Sequence, residues 1–318
     1  MMKRLLLAAA LLAAPAAVPA QAQVQAVLNI QEGGTLIDGV VKGGTFRLRD
    51  RFTPGPEHVI HDYVMAFEGV GWESDLVGYR IYVDERNVVD IYGKYGPAPV
   101  LHTIGQGFDD YQYPTAWGGD ILKVNQSLGM GGVGLLRGGR ASQLGPATYT
   151  AKVLQNGQDT AVAGVDADGI RDGGGHLHAT YAISKGSAVT HVTVTGQGLT
   201  LPIVAGLVHH TDVEVIHSTP KPGDEWAYVA TWGNQSLAHD GLGIVLFYRM
   251  RDVAGPPSMD GQSVYVQFIS RTDAAYAFAA RWSREGRDIP GHVAIQDAGA
   301  FKVWLDATRA ELDTSSAP

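Results

Sequence analysis

The stretch YRIYVDERNVVDIYGK, residues 79–94, concentrates groups that can handle an acidic sugar. A guanidinium offers a carboxylate two parallel N–H donors. A tyrosine gives a sugar ring a flat face with a polar tip. A three-residue turn at Glu85-Arg86-Asn87 predicts that Tyr82 faces Asp90 and Arg80 faces Tyr92, with Ile81 against Ile91 and Val83 against Val89. Side chains alternate along a strand, so this hairpin has an aliphatic face for the core and a face bearing Arg80, Tyr82, Asp84, Asp90 and Tyr92. A wet sheet surface with cross-strand ion pairs is the plain use of such a face; the floor of a site is the sharper one. The preceding HDYVMAFEGVGWESD adds His61, Asp62, Glu68, Trp72, Glu73 and Asp75. Aromatic rings, acids and Arg together point to a carbohydrate site for an acidic sugar.

Other stretches carry chemistry of their own. GGHLHATY sets His176 and His178 two residues apart on one strand, and GLVHHTDVEVIHS adds His209, His210 and His217. His-x-His on a strand can chelate a divalent metal, with Asp212 or Glu214 to complete the set, so His176, His178 and His217 are candidate ligands. Hydrogen-bonded strand histidines are the alternative. His209 and His210 are candidate general bases or acids, because an imidazole titrates near neutrality. WGGDILKVNQSLGMGG places Trp117, Asp120 and Lys123 ahead of a glycine run, as a wall or lid of the same cleft or as a loop feeding an edge strand. GMGGVG, residues 129–134, matches a dinucleotide fingerprint but precedes no helix, and its glycines read as loop and turn positions. DADGIRDGGG lacks the bidentate Glu of a calcium loop. No G-x-S-x-G elbow or Walker motif is present, and with no cysteine thiol catalysis is excluded.

These residues sit on elements with an all-β signature. Short runs rich in Val, Ile, Tyr and Thr alternate with Gly, Pro, Asp and Asn clusters. The clearest predicted strands span residues 77–84, 88–92, 176–184, 188–195, 202–210, 213–217, 226–232, 243–250, 263–269 and 274–281. Residues 120–124 and 147–154 are weaker. The tail from Ala298 to Leu312 reads as a helix capped by Asp297, with Phe301, Trp304, Leu305 and Thr308 at helical spacing. Residues 97–145 and 251–262 read as long loops. Trp226, Tyr228 and Trp232 share one strand face, as core or as platform. No repeat and no linker divides the chain, so one large antiparallel sandwich over residues 23–318 is expected.

The start of the chain, with Lys3 and Arg4, an apolar run from Leu5 to Ala14 and Ala20-Gln21-Ala22, has the layout of a secretory signal peptide cleaved after Ala22. That run falls short of the roughly 20 apolar residues of a membrane span. Export and the absence of cysteine predict a periplasmic or secreted protein. The net charge of −8 over 318 residues argues against nucleic acid or an anionic membrane as the partner, and no later stretch is long and apolar enough to insert in a bilayer.

The segments HDYVMAFEGVGWESDLVGYRIYVDERNVVDIYGK, PAPVL, WGGDILKVNQSLGMGG and THVTVTG resemble exported proteins of the family catalogued as domain of unknown function 4861. The likeness extends more loosely over most of the mature chain. It implies a galactose-mutarotase-like supersandwich and a role beside enzymes that degrade pectin, ulvan and other uronate polysaccharides. The matched polar positions are Glu73, Asp75, Arg80, Tyr82, Arg86, Asn87, Asp90, Lys94, Trp117, Asp120 and Lys123. Gly119 and Asn125 depart from the common WGMDILKVG, so that wall differs in detail.

The expected activity is elimination from an acidic oligosaccharide by a lyase or dehydratase. Arg80, Arg86 or Lys94 would neutralise the carboxylate. Tyr82, His209 or His210 would move the proton, with the tyrosine pKa depressed by nearby cations. Asp90 and Glu73 join the catalytic candidates, and Trp72, Trp117, Asp120 and Lys123 the binding ones. The alternatives are a glycoside hydrolase using two of Glu73, Asp75, Asp84, Asp90 and Asp120, and a sugar-binding module without catalysis. No cofactor is implied beyond a divalent metal at the histidines.

Overall fold

The computed structural model describes residues 24–106 and 110–314; the expected signal peptide lies outside them. Three large antiparallel sheets, with two two-stranded ones beside them, form an all-β sandwich with one α-helix at the C-terminal end of the described residues. The largest has nine strands in the order Glu214–His217, Trp226–Gly233, Leu242–Arg249, Asp273–Trp282, Val189–Gln197, His176–Ser184, Thr160–Asp168, Thr148–Asn156 and Arg51–Phe52. A five-stranded sheet runs Gln25–Val27, Gly69–Glu73, Val77–Tyr82, Val89–Lys94 and Gly118–Asp120. A second runs Arg140–Ser142, Met130–Arg137, Ile203–Val208, Ser263–Gln267 and Ser258–Met259.

Alternation decides which side of each strand is dry. Along His176–Ser184 the side chains of Leu177, Ala179, Tyr181 and Ile183 are buried while their neighbours face outward. Val189–Gln197 repeats the pattern with Thr190, Val192 and Val194 inward. The first five-stranded sheet packs on this inner face. Trp72 stacks on Tyr181 at 4.7 Å between ring centroids, and its indole N–H donates to Thr190 Oγ1 at 3.0 Å. Tyr79 donates to the Ala188 carbonyl at 2.9 Å and accepts from the Ala280 N–H at 3.0 Å. Trp72 is therefore a core side chain and not a sugar platform: its ring is fully buried and its polar atom is already partnered.

The expected long loop of residues 97–145 holds three strands, Gly118–Asp120, Met130–Arg137 and Arg140–Ser142. The GMGGVG run lies largely inside the second. Gly131 has φ +68° at a bulge in its pairing with Ile203–Val208, and a Cβ there would stand 2.3 Å from the Phe278 ring. The glycines serve close packing of sheets rather than a turn.

The C-terminal helix, Ala298–Thr314, lies against the strands Trp226–Gly233 and Leu242–Arg249. Phe301, Leu305, Thr308 and Leu312 form its buried face. Each buried Phe or Leu there contributes on the order of 2 kcal/mol of transfer free energy. Asp297 caps it, accepting the Ala300 N–H at 2.8 Å. The helix covers the aromatic strand: Tyr228 donates to Asp306 at 2.8 Å and Trp232 meets Phe301 at 5.3 Å. Trp226, Tyr228 and Trp232 thus belong to packing.

Candidate functional site

The hairpin keeps the two faces that alternation demands, but in a register two residues from the expected one. Arg80 pairs with Asp90, Tyr79 with Ile91 and Ile81 with Val89. The connection runs from Val83 to Asn87, closed by Tyr82 N–H to Val88 O at 3.1 Å and Asn87 N–H to Asp84 O at 3.1 Å, with Asn87 at φ +45°. A loop longer by two residues moves the partners and leaves each side chain on its face.

The polar face is a buried network. Arg80 Nη2 donates to Asp90 Oδ2 and Asp120 Oδ2, each at 2.8 Å, and to Tyr82 Oη at 2.6 Å. Tyr82 Oη in turn donates to Asp90 Oδ2 at 2.8 Å. Asp120 arrives on the strand Gly118–Asp120, paired with Tyr92. That pairing needs glycine at 118, where φ is +135° and a Cβ would sit 1.8 Å from the Gly93 carbonyl oxygen. The Arg80 guanidinium also stands 4.3 Å from the Tyr82 ring centroid, 5.0 Å from Tyr111 and 5.5 Å from Tyr92. Burial and the Asp90 charge push Asp120 well above the usual carboxylate range despite Arg80. Burial also pushes Tyr82 upward, more than Arg80 pulls it down. The expectation that cations depress this tyrosine is corrected: Tyr82 stays a phenol, a donor and not a base.

Lys94 and Glu73 form a second buried pair, Nζ to Oε2 at 2.6 Å, with Nζ also donating to the Ser74 carbonyl at 2.7 Å. The other oxygen of Glu73 accepts the N–H groups of Val100 and Leu101, each at 2.8 Å. This carboxylate ties down the covering segment. Val100, Leu101, Ile104 and Tyr111 then pack with Phe67 and Tyr92 over the polar face, and Trp117, half buried, meets Tyr92 edge-on at 6.0 Å. Arg80, Asp90, Asp120, Glu73 and Lys94 are brought together, yet all are buried.

The network reaches solvent at the hairpin turn. Arg86 lies 3.7 Å from the Tyr82 ring centroid. Its Nε donates to Asp84 Oδ1 at 2.9 Å, and its Nη2 bonds Glu68 Oε2 and Asp84 Oδ2. Nη1 has no acceptor among the described residues. Glu68 Oε1 accepts from His61 Nδ1 at 2.9 Å, and the His61 side chain is 62% exposed. Burial opposes the Glu68 charge, but Arg86 and Arg80 outweigh it and hold Glu68 below its ordinary range. The product is an outward imidazole oriented by an ionised carboxylate, beside a guanidinium with a spare donor edge.

The backbone supporting this arrangement is strained. His61, Tyr63, Phe67 and Glu68 have φ of +67°, +60°, +44° and +61°. Each such residue costs on the order of 1–3 kcal/mol and persists where the surroundings enforce it, commonly at functional sites. A second pair stands next door: His58 Nδ1 bonds Asp62 Oδ2 at 2.6 Å, and Nε2 bonds the Val83 carbonyl at 3.1 Å. Only a doubly protonated ring donates to both oxygens. Burial works against that charge, but Asp62, Asp84 and the Val83 carbonyl prevail and raise the pKa. The residues around His58 and Asp84 line a cleft of about 580 Å3.

The remaining candidates stand apart from this end of the hairpin. His210 bonds the Lys123 carbonyl at 2.9 Å, and Lys123 is exposed. Neither His209 nor His210 is hydrogen-bonded to Tyr82 or Asp90, whose side chains bond each other and Arg80. His176 and His178 point outward from the nine-stranded sheet, bonded to Asp168 at 2.7 Å and to Asp166 at 2.6 Å. His217 lies on the edge strand, five strands away from theirs. The three do not converge, and no group of three or more His, Asp or Glu side chains among the described residues is arranged to hold a metal. Asp75 accepts the Gly186 N–H at 2.6 Å.

His61, Glu68, His58 and Asp62 are the residues that sequence reasoning left without roles. His58 is four positions before Asp62 and His61 seven before Glu68, yet no α-helix presents them, and only Glu68 lies in a single 3-10 turn, Ala66–Glu68. Left-handed residues close these pairs, and no spacing rule signals that.

A family model described as Domain of unknown function (DUF4861) matches residues 4–316. No curated protein matches the chain.

Proposed function

The chain belongs to the DUF4861 family, and on that premise we propose a periplasmic or secreted carbohydrate-active enzyme that cleaves uronate-containing oligosaccharides by elimination at the hairpin turn. The carrying observation is the His61–Glu68–Arg86 array, in which one carboxylate orients an exposed imidazole and grips a guanidinium. Elimination needs a cation at the sugar carboxylate, to acidify the adjacent C5 proton, and a base to remove it. Arg86 Nη1 would take the carboxylate, and its stack on Tyr82 fixes the plane of the fork. His61 would take the C5 proton through its outward nitrogen. The C–H electron pair becomes the C4–C5 double bond, the C4–O bond breaks, and the departing oxygen takes a proton from the imidazolium. Glu68 stabilises that imidazolium, as a positioning carboxylate does in a triad.

Arg80, Asp90, Asp120 and Tyr82 act in this reading as the rigid base beneath Arg86. The test is a panel of acidic oligosaccharides followed by ultraviolet absorbance of the unsaturated uronate, repeated with substrate deuterated at C5. Growth of the chromophore, slowed by deuterium, is expected. Asp84 and Glu85 both line the cleft, which favours two-carboxylate hydrolysis as the second reading. New reducing ends without a chromophore would select it.

A further inference from the structure

We infer that the cleft beside the hairpin turn is a subsite for an uncharged sugar unit, so that the substrate alternates uronate with neutral residues. The inference rests on the proposed uronate site and deepens it.

The cleft, about 580 Å3, has the size of a small-ligand pocket. Asp84 joins it to the proposed site, lining the cleft while its carboxylate holds Arg86. Pro54, Pro56, Val59 and Pro146 give it an apolar surface suited to the C–H face of a sugar ring. Its fixed charges are the carboxylates of Asp84 and Glu85 and the ring of His58. Both nitrogens of His58 are already spent, on Asp62 and on the Val83 carbonyl. Both oxygens of Asp84 are likewise held by Arg86, so the described lining residues offer the exposed carboxylate of Glu85 and no uncommitted cationic donor. Hydroxyls can donate to Glu85; a second uronate would set its own carboxylate against it, and like-charge juxtaposition is strongly unfavourable. A homopolymeric uronate chain would place an acid in this cleft whenever a neighbouring acid sat at Arg86. An alternating chain would not.

The experiment compares kcat/KM for two oligosaccharides of equal length, one alternating uronate with neutral sugar and one all uronate. The alternating substrate is expected to be favoured by about 10-fold or more. Glu85→Lys should narrow that ratio by improving the all-uronate substrate, and Val59→Trp, which fills the cleft, should raise KM for the alternating one. Equal kcat/KM values that Glu85→Lys leaves unchanged would overturn the subsite while leaving elimination standing. If neither substrate is turned over, elimination fails instead, and calorimetric titration with a neutral disaccharide decides the subsite. Binding that Val59→Trp abolishes supports it. No binding, or tighter binding of an all-uronate disaccharide, overturns it.

Discussion

Arg80 stands directly across the hairpin from Asp90, with Nη2 2.8 Å from Oδ2 and both side chains almost wholly buried. One guanidinium there serves Asp90, Asp120 and Tyr82 at once. Removing it strands two carboxyl groups without their donor in a dry interior. Arg80→Met is expected to cost about 3–5 kcal/mol, the usual penalty for breaking a buried pair from one side. Adding Asp90→Asn and Asp120→Asn should recover part of the loss, since uncharged amides carry no uncompensated charge. Urea denaturation of the single and triple variants measures both; a stable Arg80→Met protein would contradict the assignment.

Trp72 distinguishes core from platform. Its stack on Tyr181 and its bond to Thr190 predict that Trp72→Ala lowers stability by about 3–5 kcal/mol. Trp72→Phe should cost less, keeping most of the ring and losing the hydrogen bond. Saccharide affinity of the folded fraction should be unchanged by Trp72→Phe, as titration at low temperature would show. A selective loss of affinity with stability intact would return Trp72 to a binding role.

Stability should depend on pH through His58. Its folded pKa is raised above the ordinary 6.5, because the opposing effect of burial is outweighed by Asp62, Asp84 and the Val83 carbonyl. A raised pKa means that the folded state binds the proton more tightly. The resulting stability is fully present below 6.5 and is lost as pH rises through the higher folded value. Denaturation midpoints followed from pH 6 upward should therefore fall, and His58→Gln should flatten that slope. An unchanged slope in the variant would place the titrating group elsewhere.

The legibility of this chain in its sequence follows its side chains. Strands with branched residues on one face, such as His176–Ser184 and Val189–Gln197, announce themselves by alternation. Met130–Arg137 does not, because glycines that permit close packing on Phe278 carry no side-chain pattern. The hairpin faces were readable and the register was not, since turn length depends on Asn87 adopting a left-handed conformation. Whether the polar face is wet or dry depended on a distant event: Glu73 anchoring Val100 and Leu101 over it. The same holds for the histidines. Composition suggested His209 and His210, but contact with an ionised carboxylate at the solvent end of the network belongs to His61, through four left-handed residues between positions 61 and 68.

The central claim is that His61, oriented by Glu68 beside Arg86, removes the C5 proton. It is tested most directly by turnover of an acidic oligosaccharide by the wild-type protein and by His61→Gln, compared at equal folded concentration. His61 is exposed, so the substitution should leave stability nearly unchanged. The predicted result is formation of the unsaturated product by the wild type and a loss of about 100-fold or more in His61→Gln, as removal of a general base entails. Equal rates in the two proteins, or no unsaturated product from the wild type on a broad uronate panel, would contradict it.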